Sequence, residues 1–178
     1  MTQRFTLAAC ALLLATGVFS PARAQVEVEA DPIAYVLDGY SGHLAYVFDP
    51  IRVSAGVFGV EVPEFFHGNE GWASRSRGVK VKADYLMRNL DGFFVGLDTG
   101  YQRATHTLDA TDASEDQDLF GLGARTGYRV TFPGTGFYLV PWVSVSYLFN
   151  ADDVVLDGET FEQSAVQVFP TVHLGWQF

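Results

Sequence analysis

Charged side chains recur at every second position in parts of this sequence. Lys80, Lys82 and Asp84 alternate with valine and alanine, and Arg125 and Arg129 lie four positions apart. Because successive side chains of a β-strand point to opposite faces, this spacing collects the charges on one face and the apolar residues on the other. We predict that a barrel encloses a charge network formed by Arg52, Lys80, Lys82, Asp84, Arg88, Asp98, Arg125 and Arg129.

Two interpretations of this network are open. The interior of an eight-stranded barrel is only wide enough to be filled by side chains, and half-paired charges in such an interior are costly. We therefore favour a plug in which the charges pair with one another, with tyrosines such as Tyr138, or with water. The alternative is a narrow pathway, lined by cations, that prefers anions.

Histidine is the side chain most often used as a general base, and the sequence has four: His43, His67, His106 and His173. None belongs to a His-x-Ser element with a suitably placed glutamate. His106 precedes Thr107, and Ser164 lies far from His173, toward the opposite rim of the expected barrel. We interpret these histidines as hydrogen-bonding wall residues and predict no catalytic site and no cofactor.

Carboxylates cluster in two segments that carry no regular apolar pattern. Such clusters could bind Ca²⁺ or Mg²⁺, but the spacing does not match the D-x-[DN]-x-[DN]-G loop. We interpret them as solvated loops and predict no metal site. The acids are Asp109, Asp112, Glu115, Asp116 and Asp118 in the first segment, and Asp152, Asp153, Asp157, Glu159 and Glu162 in the second.

An aromatic group, Phe65-Phe66 with Trp72, falls in another predicted loop. Two interpretations are again open. An exposed aromatic cluster could contact a surface partner or enter the outer leaflet, or it could pack over the mouth of the barrel.

The elements that must position these residues are strands with alternating hydrophobicity. Most of the runs are long enough for the ~9–11 residues that a tilted membrane strand needs. We predict an all-β fold, a single antiparallel up-and-down transmembrane β-barrel of about eight strands, in which the first strand is the weakest. The strands are Pro32–Asp38, Ser41–Phe48, Ile51–Val62, Arg75–Arg88, Phe93–Leu108, Leu119–Thr131, Phe137–Phe149 and Ser164–Phe178.

The connections are expected to alternate between short and long, as in outer-membrane barrels. Short turns are predicted at Asp49-Pro50, residues 89–92 and residues 133–136, facing the periplasm. Long external loops are predicted near Glu61–Ser74, Asp109–Asp118 and Asn150–Gln163. Pro141 and Pro170 fall within strands, where a local bulge or a missing ladder hydrogen bond is expected.

The C-terminal segment places Val172, Leu174, Trp176 and Phe178 on one face, with mostly polar residues on the other. A terminal phenylalanine behind such an apolar face resembles the signal by which outer-membrane barrels are recognised for insertion. We predict that these four residues form that signal.

The N-terminus has the pattern of a secretory signal peptide. Arg4 precedes the uncharged stretch Phe5–Phe19, and Ala22-Arg23-Ala24 predicts cleavage before Gln25. A lipoprotein signal at Leu7-Ala8-Ala9-Cys10 is the alternative. Cleavage leaves a barrel domain of residues 25–178 and removes Cys10, the only cysteine, together with two arginines, which changes the formal net charge from −10 to −12. This acidity argues against nucleic acid as a partner.

Together, the signal peptide, the alternating strands and the ending Val172–Phe178 resemble the small eight-stranded outer-membrane barrels, the OmpA-transmembrane, OmpX and OmpW-like proteins. The resemblance is to the group and covers the predicted mature chain. It implies a surface adhesin, a stress-induced wall component or a conduit for small hydrophobic molecules.

From these observations we expect a non-enzymatic outer-membrane protein that acts structurally or through its acidic external loops. The expected partners are the bilayer, lipopolysaccharide and, during insertion, the barrel-assembly machinery. The alternatives are a narrow channel or small-molecule conduit, a lipid A-modifying enzyme, and a soluble lipocalin-like barrel, which would have apolar residues inside and charges outside.

Overall fold

The structure is a computed structural model that describes residues 25–88 and 91–178. The predicted signal peptide, residues 1–24, lies outside the described residues, as do Asn89 and Leu90 of one predicted turn. Neither helix found in the described ranges has the length and hydropathy that a membrane-crossing helix requires.

Eight strands of the described residues close into an antiparallel barrel, which confirms the predicted fold class. The order around the barrel is β1-β10-β7-β6-β5-β4-β3-β2, and β8 and β9 form a separate hairpin. The elements are β1 (Gln25–Ala30), α1 (Pro32–Val36), β2 (Tyr40–Phe48), β3 (Ile51–Val62), α2 (Glu64–His67), β4 (Trp72–Leu86), β5 (Gly92–Leu108), β6 (Ala113–Thr131), β7 (Phe137–Phe149), β8 (Val154–Leu156), β9 (Glu159–Phe161) and β10 (Val166–Gln177).

The barrel wall is apolar toward the outside and ionic toward the inside. Leu97 is 61% exposed on the outer face of β5, whereas its neighbour Asp98 is buried inside. Val145 and Ser146 show the same contrast on β7. This arrangement is the reverse of a lipocalin-like barrel, so that alternative is wrong.

Aromatic residues border the apolar exterior at both ends. Phe93 pairs with Tyr128 near the short turns, and Tyr101 pairs with Phe120 eight residues further along β5. That separation corresponds to about 26 Å of strand. At the ~40° tilt of outer-membrane barrel strands it spans about 20 Å of height, most of their ~25 Å apolar band. We call these two levels the lower and the upper girdle, and we take the band between them as the membrane-spanning part of the wall.

The prediction of a strand at Pro32–Asp38 is wrong, because a short helix occupies most of that segment. Asp31 is the N-cap of α1 and accepts a hydrogen bond from the Ile33 amide at 2.9 Å. Proline at the first helical position already has a helical φ, so Asp31-Pro32 favours a helix start over a strand. The first strand is instead Gln25–Ala30, whose Val26-Glu27-Val28-Glu29 alternation is that of a barrel strand.

The prediction of a long loop at Asp109–Asp118 is also wrong. β5 and β6 continue beyond the upper girdle and meet at the turn Asp109–Asp112. Asp118 accepts hydrogen bonds from Arg103 at 2.7 and 3.0 Å, and Asp116 accepts one from Thr105 at 2.6 Å. The cross-strand partners of these carboxylates explain why an acidic segment forms a strand.

The wall has a gap in its ladder beside β10. Only Leu174–Gln177 pair with β1, so along 166–173 no strand of the described residues occupies this edge. α1 packs there instead, against β10, β2 and β3. The hydroxyl of Thr171 on β10 donates a hydrogen bond to Asp31 at 2.6 Å, which fixes the start of the helix to the strand edge.

This free edge gives a physical account of Pro170. A proline removes a ladder donor, and Pro170 lies in the part of β10 that has a strand partner on one side only. On β7, the pairing with β6 skips Pro141 and Val140, as expected for a missing ladder bond.

The hairpin β8–β9 covers the upper end of the barrel. Phe161 of β9 is buried and contacts the rings of Trp72 and His106, with centroids 5.6 and 4.0 Å apart. Trp72 therefore belongs to the packed lid and not to an exposed cluster. Phe65 and Phe66 of α2 are 80% and 52% exposed.

Candidate functional site

The centre of the lower lumen is Arg52 on β3, which contacts three carboxylates. Its Nε lies 2.8 Å from Glu27, and its two Nη atoms lie 2.6 Å from Glu29 and 3.3 Å from Asp84. All four side chains are at most 5% exposed. Ion pairs of this kind gain strength from the low dielectric inside the barrel, provided that every charge has a partner.

A second set of contacts extends this cluster toward the short turns. Arg129 donates to Glu27 at 2.7 Å and to Gln177 at 2.8 Å, and its guanidinium lies 3.7 Å from the ring centroid of Tyr138. The Tyr138 hydroxyl donates to Glu27 at 3.1 Å. Tyr138 is fully buried because Gly175 leaves room for its ring, where a Cβ would collide with it.

Arg125 closes the network from above. It lies 3.4 Å from Asp84, and its guanidinium lies 4.2 Å from the centroid of Trp142 and 5.1 Å from that of Phe94. A guanidinium between two aromatic rings gains cation–π stabilisation that partly replaces water. We call this set the lumen plug: Glu27, Glu29, Arg52, Asp84, Arg125, Arg129 and Tyr138.

Sequence reasoning missed two members of the plug, Glu27 and Glu29. They lie on β1, which the sequence analysis placed too late in the chain. Two signals were present: the Val-Glu-Val-Glu alternation at residues 26–29, and an excess of predicted inward cations over acids. A closed low-dielectric interior requires nearly balanced charges, so the missing anions indicate an additional strand.

Of the eight predicted lumen residues, the structure places seven inside the barrel. Lys80 pairs with Asp98 at 3.4 Å in the upper part of the interior. Arg88 is the exception: it follows β4 at the short-turn end and is exposed. Its inclusion was wrong because the strand ends at Leu86, so the alternation no longer determines where the side chain points.

The predicted insertion signal lies where the alternation requires. Val172, Leu174, Trp176 and Phe178 occupy the outer side of the last strand, and Phe137 contacts Trp176 with ring centroids 4.4 Å apart in the lower girdle. Their role in insertion stays a prediction.

Above the plug, the lumen opens into a cavity of about 230 Å³. Lys82, at its floor, is buried but has no hydrogen-bond partner within the described residues, and its Nζ lies 5.3 Å from the centroid of Trp142. His43 stacks on His173 at a centroid distance of 5.0 Å, and Nδ1 of His173 lies 3.0 Å from Glu29. We call this region the upper chamber.

A serine–histidine pair lies at the top of the upper chamber. Ser74 Oγ is 3.2 Å from His106 Nδ1, and both residues are buried. His106 lies five residues beyond Tyr101 of the upper girdle, outside the membrane-spanning band. Burial lowers the pKa of His106 to about 4, and burial also lowers the pKa of His67 nearby. Both imidazoles are therefore neutral near pH 7.

The predicted acidic clusters do not gather into a metal centre: among residues 25–88 and 91–178, no group of three or more His, Cys, Asp or Glu side chains could hold a metal ion. Outside the band, hydrogen bonds from Arg103 and Tyr101 lower the pKa of Asp118 to about 2.

These observations define the class of protein. A closed antiparallel barrel with an apolar exterior between two aromatic girdles and an ionic interior satisfies every backbone group without water, which is what spanning the outer membrane requires. The chain is an integral outer-membrane β-barrel protein.

Comparisons with known proteins give matches among solved structures. No protein-family model matches the sequence, and no curated protein matches it. The chain is similar to the N-terminal β-barrel domain of Pseudomonas aeruginosa OprF (14% identity, 86% of this chain and 97% of that chain, TM-score 0.46). It is also similar to Neisserial surface protein A (12% identity, 86% of this chain and 94% of that chain, TM-score 0.44). A third similar structure is a major outer membrane protein from Thermus thermophilus (16% identity, 88% of this chain and 100% of that chain, TM-score 0.45).

Proposed function

We propose that this protein is a non-enzymatic, non-conducting component of the outer membrane that acts at the cell surface through its external connections. The observation that carries the proposal is the lumen plug. Arg52, Arg125 and Arg129 cross the interior to carboxylates on other strands. The rings of Phe94 and Tyr138 lie against Arg125 and Arg129. An ion would have to break several buried pairs to pass, each break leaving an uncompensated charge.

A hydrolytic function is the second candidate, because Ser74 and His106 are in contact. Three features argue against it. The histidine contacts the serine through Nδ1, no carboxylate of the described residues contacts its ring, and the pair lies beneath Phe161. Without a carboxylate to orient it, the imidazole lacks the third member of a catalytic triad.

The surface role rests on what the upper end exposes. Phe65 and Phe66 contact each other with centroids 4.5 Å apart and project from α2. The connection from β7 to β10 exposes carboxylates at Asp152, Asp153 and Glu162. Divalent ions could bridge these carboxylates to the phosphates of lipopolysaccharide, while the two phenylalanines enter the lipid surface.

Conductance in planar bilayers tests the central claim. The purified protein is expected to give no steady current in either direction of applied voltage. A double variant, Arg129→Ala with Tyr138→Ala, removes two plug side chains and serves as the positive control for a current. Steady conductance by the unmodified protein would refute the proposal and favour the conduit.

Two further measurements test the other parts. A fluorophosphonate probe is expected to leave Ser74 unlabelled; labelling that is lost in His106→Gln would favour the hydrolase.

Binding to vesicles that contain lipopolysaccharide and Ca²⁺ is expected to exceed binding to phospholipid vesicles and to fall in a Phe65→Ser, Phe66→Ser variant. Equal binding of the unmodified protein and the variant to both kinds of vesicle would contradict the surface role.

A further inference from the structure

Lys82 is a buried cation that no acid contacts directly within the described residues, although Glu29 is near enough to act on it electrostatically. Its side chain is 1% exposed, lines the upper chamber, and forms neither a hydrogen bond nor an ion pair in the described part of the chain. Lys80, two residues earlier on the same strand, does pair with an acid, Asp98. Nδ1 of His43, beside Lys82 in the lining, is also buried without a partner. A buried ammonium is costly unless an anion or acceptor reaches it.

Polar side chains, including the acids Asp31 and Glu162, form part of the chamber lining, but most of the lining surface is apolar. The cavity volume of about 230 Å³ is below the ~300–1,000 Å³ of pockets for drug-sized ligands, so the space suits one chain and not a multi-chain lipid. The apolar side chains that line it include Leu37, Phe58, Val60, Trp142, Leu148 and Phe169.

The chamber also reaches the outer surface of the barrel beside β10. Val168 and Pro170 point outward, yet both line the cavity. This is the edge where α1 replaces a strand. Tyr147, at the upper end of the band, pairs with Val166, so the gap begins at the level of the outer leaflet and extends down β10 as far as His173.

We propose that the upper chamber binds a single-chain amphiphile with an anionic head, which enters from the outer leaflet through the gap between α1 and β10. The head accepts hydrogen bonds from Lys82 and His43, and the chain lies along the apolar lining toward the gap. The site is independent of the surface role proposed above. A carboxylate and a phosphate head share this chemistry.

Equilibrium binding to the whole barrel in nanodiscs of zwitterionic phospholipid tests the proposal, with empty nanodiscs as the background. The probes are radiolabelled dodecanoate, dodecyl phosphate and dodecyltrimethylammonium. We expect saturable binding of one equivalent for an anionic probe and none for the cation. The preferred anion distinguishes a carboxylate head from a phosphate head. Binding no greater than that of empty nanodiscs, or equal binding of the cation, would overturn the proposal.

Three variants locate the site. Lys82→Met is expected to weaken anion binding by about tenfold or more, since it removes a hydrogen bond to a charged group. Ala34→Leu fills the chamber from the buried face of α1 and is expected to weaken binding too, whereas the matched control Val36→Leu, 81% exposed on the other face, leaves it unchanged.

Heat-modifiable gel migration checks that each variant is folded, and Lys82→Gln replaces Lys82→Met if the latter does not fold. Unchanged affinity in the Lys82 variants overturns the assignment of the head, and unchanged affinity in Ala34→Leu overturns the assignment of the entrance.

Discussion

In the lower half of the lumen, Arg52 contacts Glu27, Glu29 and Asp84, whereas in the upper half Lys82 contacts no carboxylate of the described residues. Both side chains are inward-facing cations on neighbouring strands, and both are almost fully buried. The difference comes from β1: its two glutamates reach Arg52 in the lower lumen, but the strand ends at Ala30. The next acid, Asp31, is held by the Ile33 amide and the Thr171 hydroxyl. The length of one strand thus determines which half of the lumen is a plug and which half is a chamber.

Arg52→Leu is expected to have the largest effect on stability. Removing it leaves three buried carboxylates without their shared cation, which costs about 3–5 kcal/mol when one partner of a buried pair is lost. Urea unfolding from phospholipid vesicles, followed by tryptophan fluorescence, measures this loss. Arg75→Leu is the control, because its pair with Glu61 is exposed and is expected to contribute at most about 1 kcal/mol. Equal losses would show that the plug does not stabilise the barrel.

Tyr138→Phe tests a single hydrogen bond of the plug. The hydroxyl donates to the carboxylate of Glu27, so we expect a loss of about 1.5–3 kcal/mol in the free energy of unfolding, typical of a bond to a charged group. Ser74→Ala removes a neutral pair with His106 in the upper chamber and is expected to cost about 0.5–1.5 kcal/mol. A larger loss for Ser74→Ala would reverse the contrast between the two halves.

The lid of the upper chamber is expected to respond to pH through His106. Its pKa in the folded protein is about 4, below the ordinary 6.5, because burial disfavours the imidazolium. The unfolded state therefore binds more protons between these values, and stability falls as the pH drops from about 6.5 toward 4. The Cε1 proton of His106 should titrate with a midpoint near 4 by NMR, and His106→Gln should reduce the pH dependence of unfolding. A midpoint near 6.5 would contradict the burial of this ring.

Lys82→Met is expected to cause no loss of stability. Lys82 forms no ion pair within the described residues, so its removal leaves no directly paired acid behind and relieves desolvation. We therefore expect the free energy of unfolding to rise by about 0–3 kcal/mol. The same urea titration measures it beside Arg52→Leu. A loss comparable with that of Arg52→Leu would mean that Lys82 belongs to the plug.

Period-two alternation was sufficient to predict the all-β barrel, seven of its eight strands and the inward direction of Arg52, Lys80, Lys82, Arg125 and Arg129. Alternation works here because each wall residue faces either lipid or a closed interior, and a charge at the lipid midplane costs about 2–4 kcal/mol. It failed where that constraint ends, at Arg88 beyond β4 and at Pro32–Asp38, where capping by Asp31 overrides the pattern.

Residue types alone did not reveal which lumen charges would be paired. Glu27 and Arg129 meet across the barrel because β1 closes onto β10, a contact between residues far apart in the chain. Ser74 and His106 likewise meet only through the pairing of β4 and β5.

The sequence by itself determined which side of the wall each strand residue faces, since that depends on the two-residue repeat of an extended backbone and on the cost of charge in lipid. Only the tertiary structure decided which side chains are in contact inside the barrel, because strand register and closure set the distances between them. The unpaired state of Lys82 and the gap beside β10 both follow from closure with a first strand of six residues.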